Sequence, residues 1–70
     1  MNVLLVGFGF MGRTHAAILR RLPGVVVKGI VDPRGEEIRS AMAETGLEHV
    51  PLFTGIEEGL ESTDCTTVDI

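Results

Sequence analysis

The sequence predicts an α/β fold, a parallel sheet with helices wound over both faces. Two observations carry this. Short apolar runs rich in β-branched residues alternate with segments of helical period along the whole chain. The first of these runs is a continuous apolar stretch from Val3 to Val6, as suits a parallel strand buried on both faces.

The elements follow in order. Met1–Val6, MNVLLV, reads as a strand that Gly7 ends. From about Phe10 to Leu22, the residues Met11, His15, Ile18, Leu19 and Leu22 recur at intervals of three and four, one stripe of a helix. Pro23-Gly24 stops it. Val25–Val31, VVVKGIV, is a second strand. Asp32 and Pro33 open a second helix as cap and first-turn residue, with Ile38, Ala41, Met42 and Thr45 facing inward and Gly46 at the C′ position.

Val50–Phe53 is a short third strand, which Pro51 assigns to an edge. Thr54-Gly55-Ile56-Glu57 has the form of a capping box opening a third helix that ends near Glu61. Ser62–Asp64 is a turn, and Thr66–Ile70 begins a fourth strand. The order β-α-β-α-β-α-β with right-handed crossovers gives a doubly wound sheet of strand order 3-2-1-4, a partial Rossmann fold cut within strand four. On this reading residues 1–70 are the N-terminal part of a longer dinucleotide-binding domain.

Composition narrows the function classes. Seventy residues make one small domain, with little area to bury. Yet 44% of the residues are hydrophobic and the mean hydropathy is +0.30, so the chain is expected to be covered by something further. Alone, its open sheet edge and apolar surplus predict self-association, and a homo-oligomer is compatible with both. A net charge of −4 and a pI near 4.9 argue against nucleic acid as the partner. No signal peptide is visible, and no apolar run is long enough to cross a membrane. The single cysteine, Cys65, cannot form an internal disulfide; it reads as a half-buried small residue, and a reducing cytoplasmic setting fits.

Gly7, Gly9 and Gly12 form G-x-G-x-x-G between a strand and a helix. Gly7 permits the tight turn, Gly9 lets the backbone approach a pyrophosphate, and Gly12 lets the helix pack against the sheet. The backbones of Phe10 and Met11 would then offer N–H groups and the positive end of the helix dipole to phosphate. Asp32 lies 20 positions beyond Gly12, at the end of the second strand. There a carboxylate accepts from both ribose hydroxyls and repels a 2′-phosphate, which favours NAD over NADP. Its plainer role is a helix cap. Arg34 can stack on adenine, meet a 2′-phosphate, or face solvent. Arg13 is open between phosphate and solvent, and Arg20-Arg21 reads as a solvated pair. His15 shares the apolar stripe and reads as a packed helix residue rather than a catalyst; His49 reads as a loop residue. No metal-ligand spacing occurs, and no serine or cysteine nucleophile stands beside a base.

VGFGFMGRTHAAIL, VVVKGIVDP and the final DCTTVDI resemble the start of the Gfo/Idh/MocA oxidoreductases, the glucose-fructose oxidoreductase and inositol dehydrogenase family. The resemblance spans all 70 residues. It implies a nicotinamide cofactor lined by Gly7, Gly9, Phe10, Met11, Gly12 and Asp32, and a sugar or polyol substrate held by a further C-terminal domain. It also implies that His15 is not catalytic and that a Glu-Lys-Pro motif, absent from these residues, carries the catalytic lysine. No catalytic residue is therefore expected here. Glyceraldehyde-phosphate and homoserine dehydrogenases share the G-F-G start; a flavoprotein would more typically carry Glu at the position of Asp32. A non-catalytic nucleotide sensor would keep the same glycines.

Overall fold

A computed structural model describes residues 1–70, with every side chain except those of Phe10 and Met11. The strands are β1 (Asn2–Val6), β2 (Val26–Val31), β3 (Leu52–Phe53) and β4 (Thr67–Asp69). The helices are α1 (Phe10–Leu19), α2 (Arg39–Glu44) and α3 (Ile56–Ser62), with a 3₁₀ turn at Gly35–Ile38 leading into α2. All strand pairs are parallel and the order is β3-β2-β1-β4. The α/β order and the edge position of β3 are as the sequence predicts, but Val50 and Pro51 precede the strand rather than belonging to it.

The two faces of the sheet are divided by strand parity. Leu5 and Ile30 join Phe8, Ala16 of α1 and Met42 of α2 in one buried cluster, closed below by Leu47 and Val50. Leu4 and Val31 point the other way, to α3. That helix approaches through Gly59, where a Cβ would stand 2.8 Å from a Val31 methyl and 3.2 Å from Leu4. An irregularity lies between the Val3–Val27 and Leu4–Gly29 pairs, so Lys28 has no partner on β1. This bulge lets Val27 and Ile30, three residues apart, pack on the same cluster.

Several local expectations change. The apolar stripe of α1 does not all face inward: Ile18 is 53% exposed and Leu22 46%, and the helix seats itself on Ala16 instead. A small residue allows a close approach to the sheet, and the helix rotates to use it. Met11, named on the same stripe, lies outside the described side chains. α1 also ends at Leu19, three residues early.

Asp32 and Pro33 lead not into an α-helix but into the 3₁₀ turn, and α2 proper starts at Arg39. Ile38 and Met42 are buried as expected, and Gly46 has φ +78°. Thr54 does not close a capping box: the N-cap of α3 is Gly55, with no side-chain hydrogen bond. Arg20 and Arg21 are exposed, the Arg20 guanidinium lying against Gly46. Cys65 is a half-buried free thiol. No helix among the described residues is long and apolar enough to cross a membrane.

Among the glycines, Gly12 at the joint between β1 and α1 has the least room for a side chain. A Cβ on Gly12 would drive into the carbonyl oxygen of Gly7 and stand 2.9 Å from its carbonyl carbon. Both are backbone atoms, which cannot rotate away. Gly12→Ala gains about 1 kcal/mol of helix propensity, but overpacking against fixed backbone costs about 3 kcal/mol or more. Thermal melts should therefore show a large net loss for Gly12→Ala. Gly55→Ala, whose Cβ meets nothing within 4 Å, should change stability by less than about 1 kcal/mol.

Candidate functional site

The site begins where β1 turns. Gly7 has φ +89°, a conformation that favours glycine, and its N–H donates to the Val31 carbonyl at 2.7 Å. Phe8 then drops its ring into the core, 1% exposed, and anchors the turn from beneath. Gly9 is exposed and forms the N-cap of α1 with no side-chain cap. A Cβ at Gly9 would meet nothing within 4 Å, so the backbone there is bare to solvent. The first N–H groups of α1 stand next to this open space, where a helix end favours an anion.

Asp32 closes the other side. It directly follows β2, and its N–H donates to the Phe53 carbonyl at 2.9 Å, which holds it against the edge strand. It is 3% exposed, the one polar or charged residue buried among the described side chains. Its Oδ2 accepts from the Phe8 N–H at 2.9 Å and from Arg34 Nη2 at 2.8 Å. Its Oδ1 accepts from the Arg34 N–H and from Arg34 Nε, each at 2.9 Å. The Arg34 side chain is half exposed and lies over the carboxylate like a cover.

This environment holds the Asp32 carboxyl well below the usual carboxylate range. The side-chain hydrogen bonds from Arg34 are the largest cause; burial opposes them, and the two backbone N–H groups reinforce them. The same contact raises Arg34 above its ordinary value.

β1 and β4 separate at the C-terminal edge of the sheet, where the strand order reverses. A hollow of about 230 Å³ opens there, lined by Val6, Gly7, Gly9, Gly12, His15 and Ile70. Crevices at such switch points are where open α/β sheets bind ligands. A larger hollow, about 760 Å³, lies at the opposite end among Val26, Lys28, Pro51 and Asp64, away from the glycine turn. His15 reaches across the crevice, its Nδ1 3.4 Å from Asp69 Oδ1, and so links α1 to the end of β4. Arg13 turns away to Glu44 of α2 at 3.2 Å, an exposed pair worth little in water. His49 is exposed in its loop. No group of three or more His, Cys, Asp or Glu among the described residues is arranged to hold a metal.

The fold thus brings Gly7, Gly9, Gly12, Asp32 and Arg34 to one edge. The backbones of Phe10 and Met11 belong to the first turn of α1, and their side chains lie outside the described ones. Two participants escaped the sequence reading. Phe8 supplies the N–H that fixes the carboxylate; a large apolar residue set between two glycines of a turn is its signal. Asp69 meets His15 only through the parallel pairing of β4 with β1, and no local pattern announces it.

The depressed carboxyl has a signed consequence. A group whose folded pKa lies below its unfolded value near 3.9 stabilises the fold fully above that value. The contribution is lost as pH falls through the folded pKa. The stability difference between the native protein and Asp32→Asn should be constant from pH 7 to about 5 and shrink below about pH 4. Denaturant melts across that range measure it.

Searches of curated proteins and of solved structures found no match. A family profile described as an oxidoreductase family with an NAD-binding Rossmann fold matches residues 1–70. With the glycine turn, the terminal aspartate of β2 and the 3-2-1-4 sheet in place, the chain belongs to the Gfo/Idh/MocA oxidoreductases and forms an NAD-binding Rossmann unit of that family.

Proposed function

We propose that the chain binds NAD, in preference to NADP, along the C-terminal edge of β1, β2 and β4. The reading rests above all on Asp32, a buried carboxylate at the end of β2, hydrogen-bonded to the glycine turn itself. The ribose of the adenosine half would take its acceptors from Asp32, beside Arg34. The pyrophosphate would lie over Gly7, Gly9 and Gly12, with the backbones of Phe10 and Met11 as donors. The bare backbone at Gly9 fits such a group, since nothing occupies the space a side chain would fill.

The nicotinamide supplies the hydride chemistry when bound, and these residues bind and orient it. The substrate we propose is a sugar or an inositol-like polyol, oxidised at a CH–OH carbon. That choice rests on the family resemblance alone. The residues that touch substrate are proposed to lie outside these 70, in a C-terminal substrate domain.

Calorimetric titration of the protein tests the cofactor assignment. Asp32→Ala should weaken NAD binding by about tenfold or more, equivalent to roughly 1.4 kcal/mol. Unchanged NAD affinity in that variant would remove Asp32 from the site. Gly9→Ala should weaken NAD binding by a similar factor while melting close to the native protein. For the substrate, reduction of NAD by the protein carrying the proposed C-terminal substrate domain is followed by absorbance against a panel of sugars and inositols; silence across the whole panel would refute the polyol assignment.

A further inference from the structure

We infer that Arg34 is a latch on the nucleotide site, an internal stand-in for the ribose diol that must leave before NAD can bind. The inference rests on the NAD reading of Asp32 and concerns how that site is regulated.

The argument is a count of acceptor positions. A carboxylate offers about four lone-pair sites, two on each oxygen. Asp32 has four donors: Oδ1 takes the Arg34 N–H and Nε, and Oδ2 takes the Phe8 N–H and Arg34 Nη2. The carboxylate is therefore full. Two of the donors are backbone groups, built into the glycine turn and the turn after β2, and stay in any bound state that keeps the fold. The other two belong to one guanidinium, which places one donor on each oxygen in the parallel fork that arginine gives to carboxylates.

When that side chain swings out, it frees one acceptor on Oδ1 and one on Oδ2. Two vicinal hydroxyls on a ribose need that number and that distribution. The exposures fit a movable cover over a fixed base: the Arg34 side chain is 49% exposed, and that of Asp32 only 4%. Both side-chain hydrogen bonds of the guanidinium go to Asp32, and the only other pull on it among the described residues is the longer-range attraction of the Glu37 carboxylate.

The latch makes the free protein compete with its own cofactor. Apparent affinity falls by the fraction of molecules in which the latch is open. The two cofactor types feel it differently. A ribose with two hydroxyls needs the vacated positions and gains from the loss of Arg34. A 2′-phosphorylated ribose brings one hydroxyl and two negative charges, so it gains less from the vacancy and loses a cationic neighbour. Arg34 thus narrows the preference for NAD, although it touches the carboxylate that selects NAD.

The test is calorimetric titration of the native protein, Arg34→Ala and Arg34→Lys with NAD and with NADP, each variant first shown to melt cooperatively. Lysine keeps the charge but cannot place parallel donors on both oxygens, and its variant covers the case in which alanine fails to fold. Both variants should bind NAD about three- to tenfold more tightly than the native protein, and Arg34→Ala should bind NADP no more tightly. The Arg34 Nε–H proton, observed by NMR, should be slow to exchange in the free protein and fast with NAD bound. Equal or weaker NAD binding in both variants, with Asp32→Ala still defective, would overturn the latch and leave the cofactor reading standing. Absence of NAD and NADP binding by the native protein and by both variants would overturn both.

Discussion

The hydrogen bond from the Phe8 N–H to the Asp32 carboxylate is the contact on which the rest of this edge depends. It joins the end of β2 to the turn that follows β1, across 24 residues of sequence. A buried charge without partners costs several kcal/mol, so Asp32 can sit at 3% exposure only because the turn, its own following turn and Arg34 all donate to it. The turn in turn keeps its shape because Phe8 is plugged into the core below. Core packing and ligand chemistry are therefore coupled through one residue: its ring belongs to the hydrophobic cluster, and its backbone belongs to the site.

The remaining elements place this contact. Lateral hydrogen bonds from Gly7 to Val31 and from Asp32 to Phe53 hold the three strand ends in line. Gly12 allows α1 to close on Gly7 so that the helix terminus points along the edge. On the far face, Gly59 brings α3 down onto Leu4 and Val31. Glycines are thus spent at the two places where a helix must come closest to the sheet, one on each face.

Most of the architecture was legible in the sequence because it follows from period and punctuation. Short apolar runs rich in β-branched residues gave parallel strands, and Gly46 stopped the second helix where a left-handed residue was needed. The glycine turn was legible because Gly7 needs a left-handed backbone and Gly12 a close approach, whereas Asp32 also suited a helix cap. What escaped was set by competition between distant parts. The stripe Ile18–Leu22 satisfies helical period, yet Ala16 won the inward position because it lets the helix sit closer to the sheet. Thr54 has the letters of a capping residue, but the N-cap lies one residue later at Gly55 and α3 starts at Ile56. Asp32 and Pro33 suit a helix start, while the carboxylate is drawn to Phe8 and Arg34, and the chain winds as a 3₁₀ turn first. The pairing of His15 with Asp69 depends on strand order and has no local signature.

The unpartnered Lys28 carries a lesson for comparing sequences of this kind. Beyond the bulge, each residue of β2 is in phase with β1, ending at Val31 opposite Val6. A relative lacking one residue at Lys28 would straighten the strand and still deliver its aspartate to the glycine turn. One lacking a residue between Gly29 and Asp32 would turn every later side chain to the opposite face. Within β2, the count of residues leading to the carboxylate is therefore elastic by one at the bulge and rigid beyond it. An alignment gap at Lys28 is structurally silent, whereas the same gap three residues later moves the acid to the other side of the sheet.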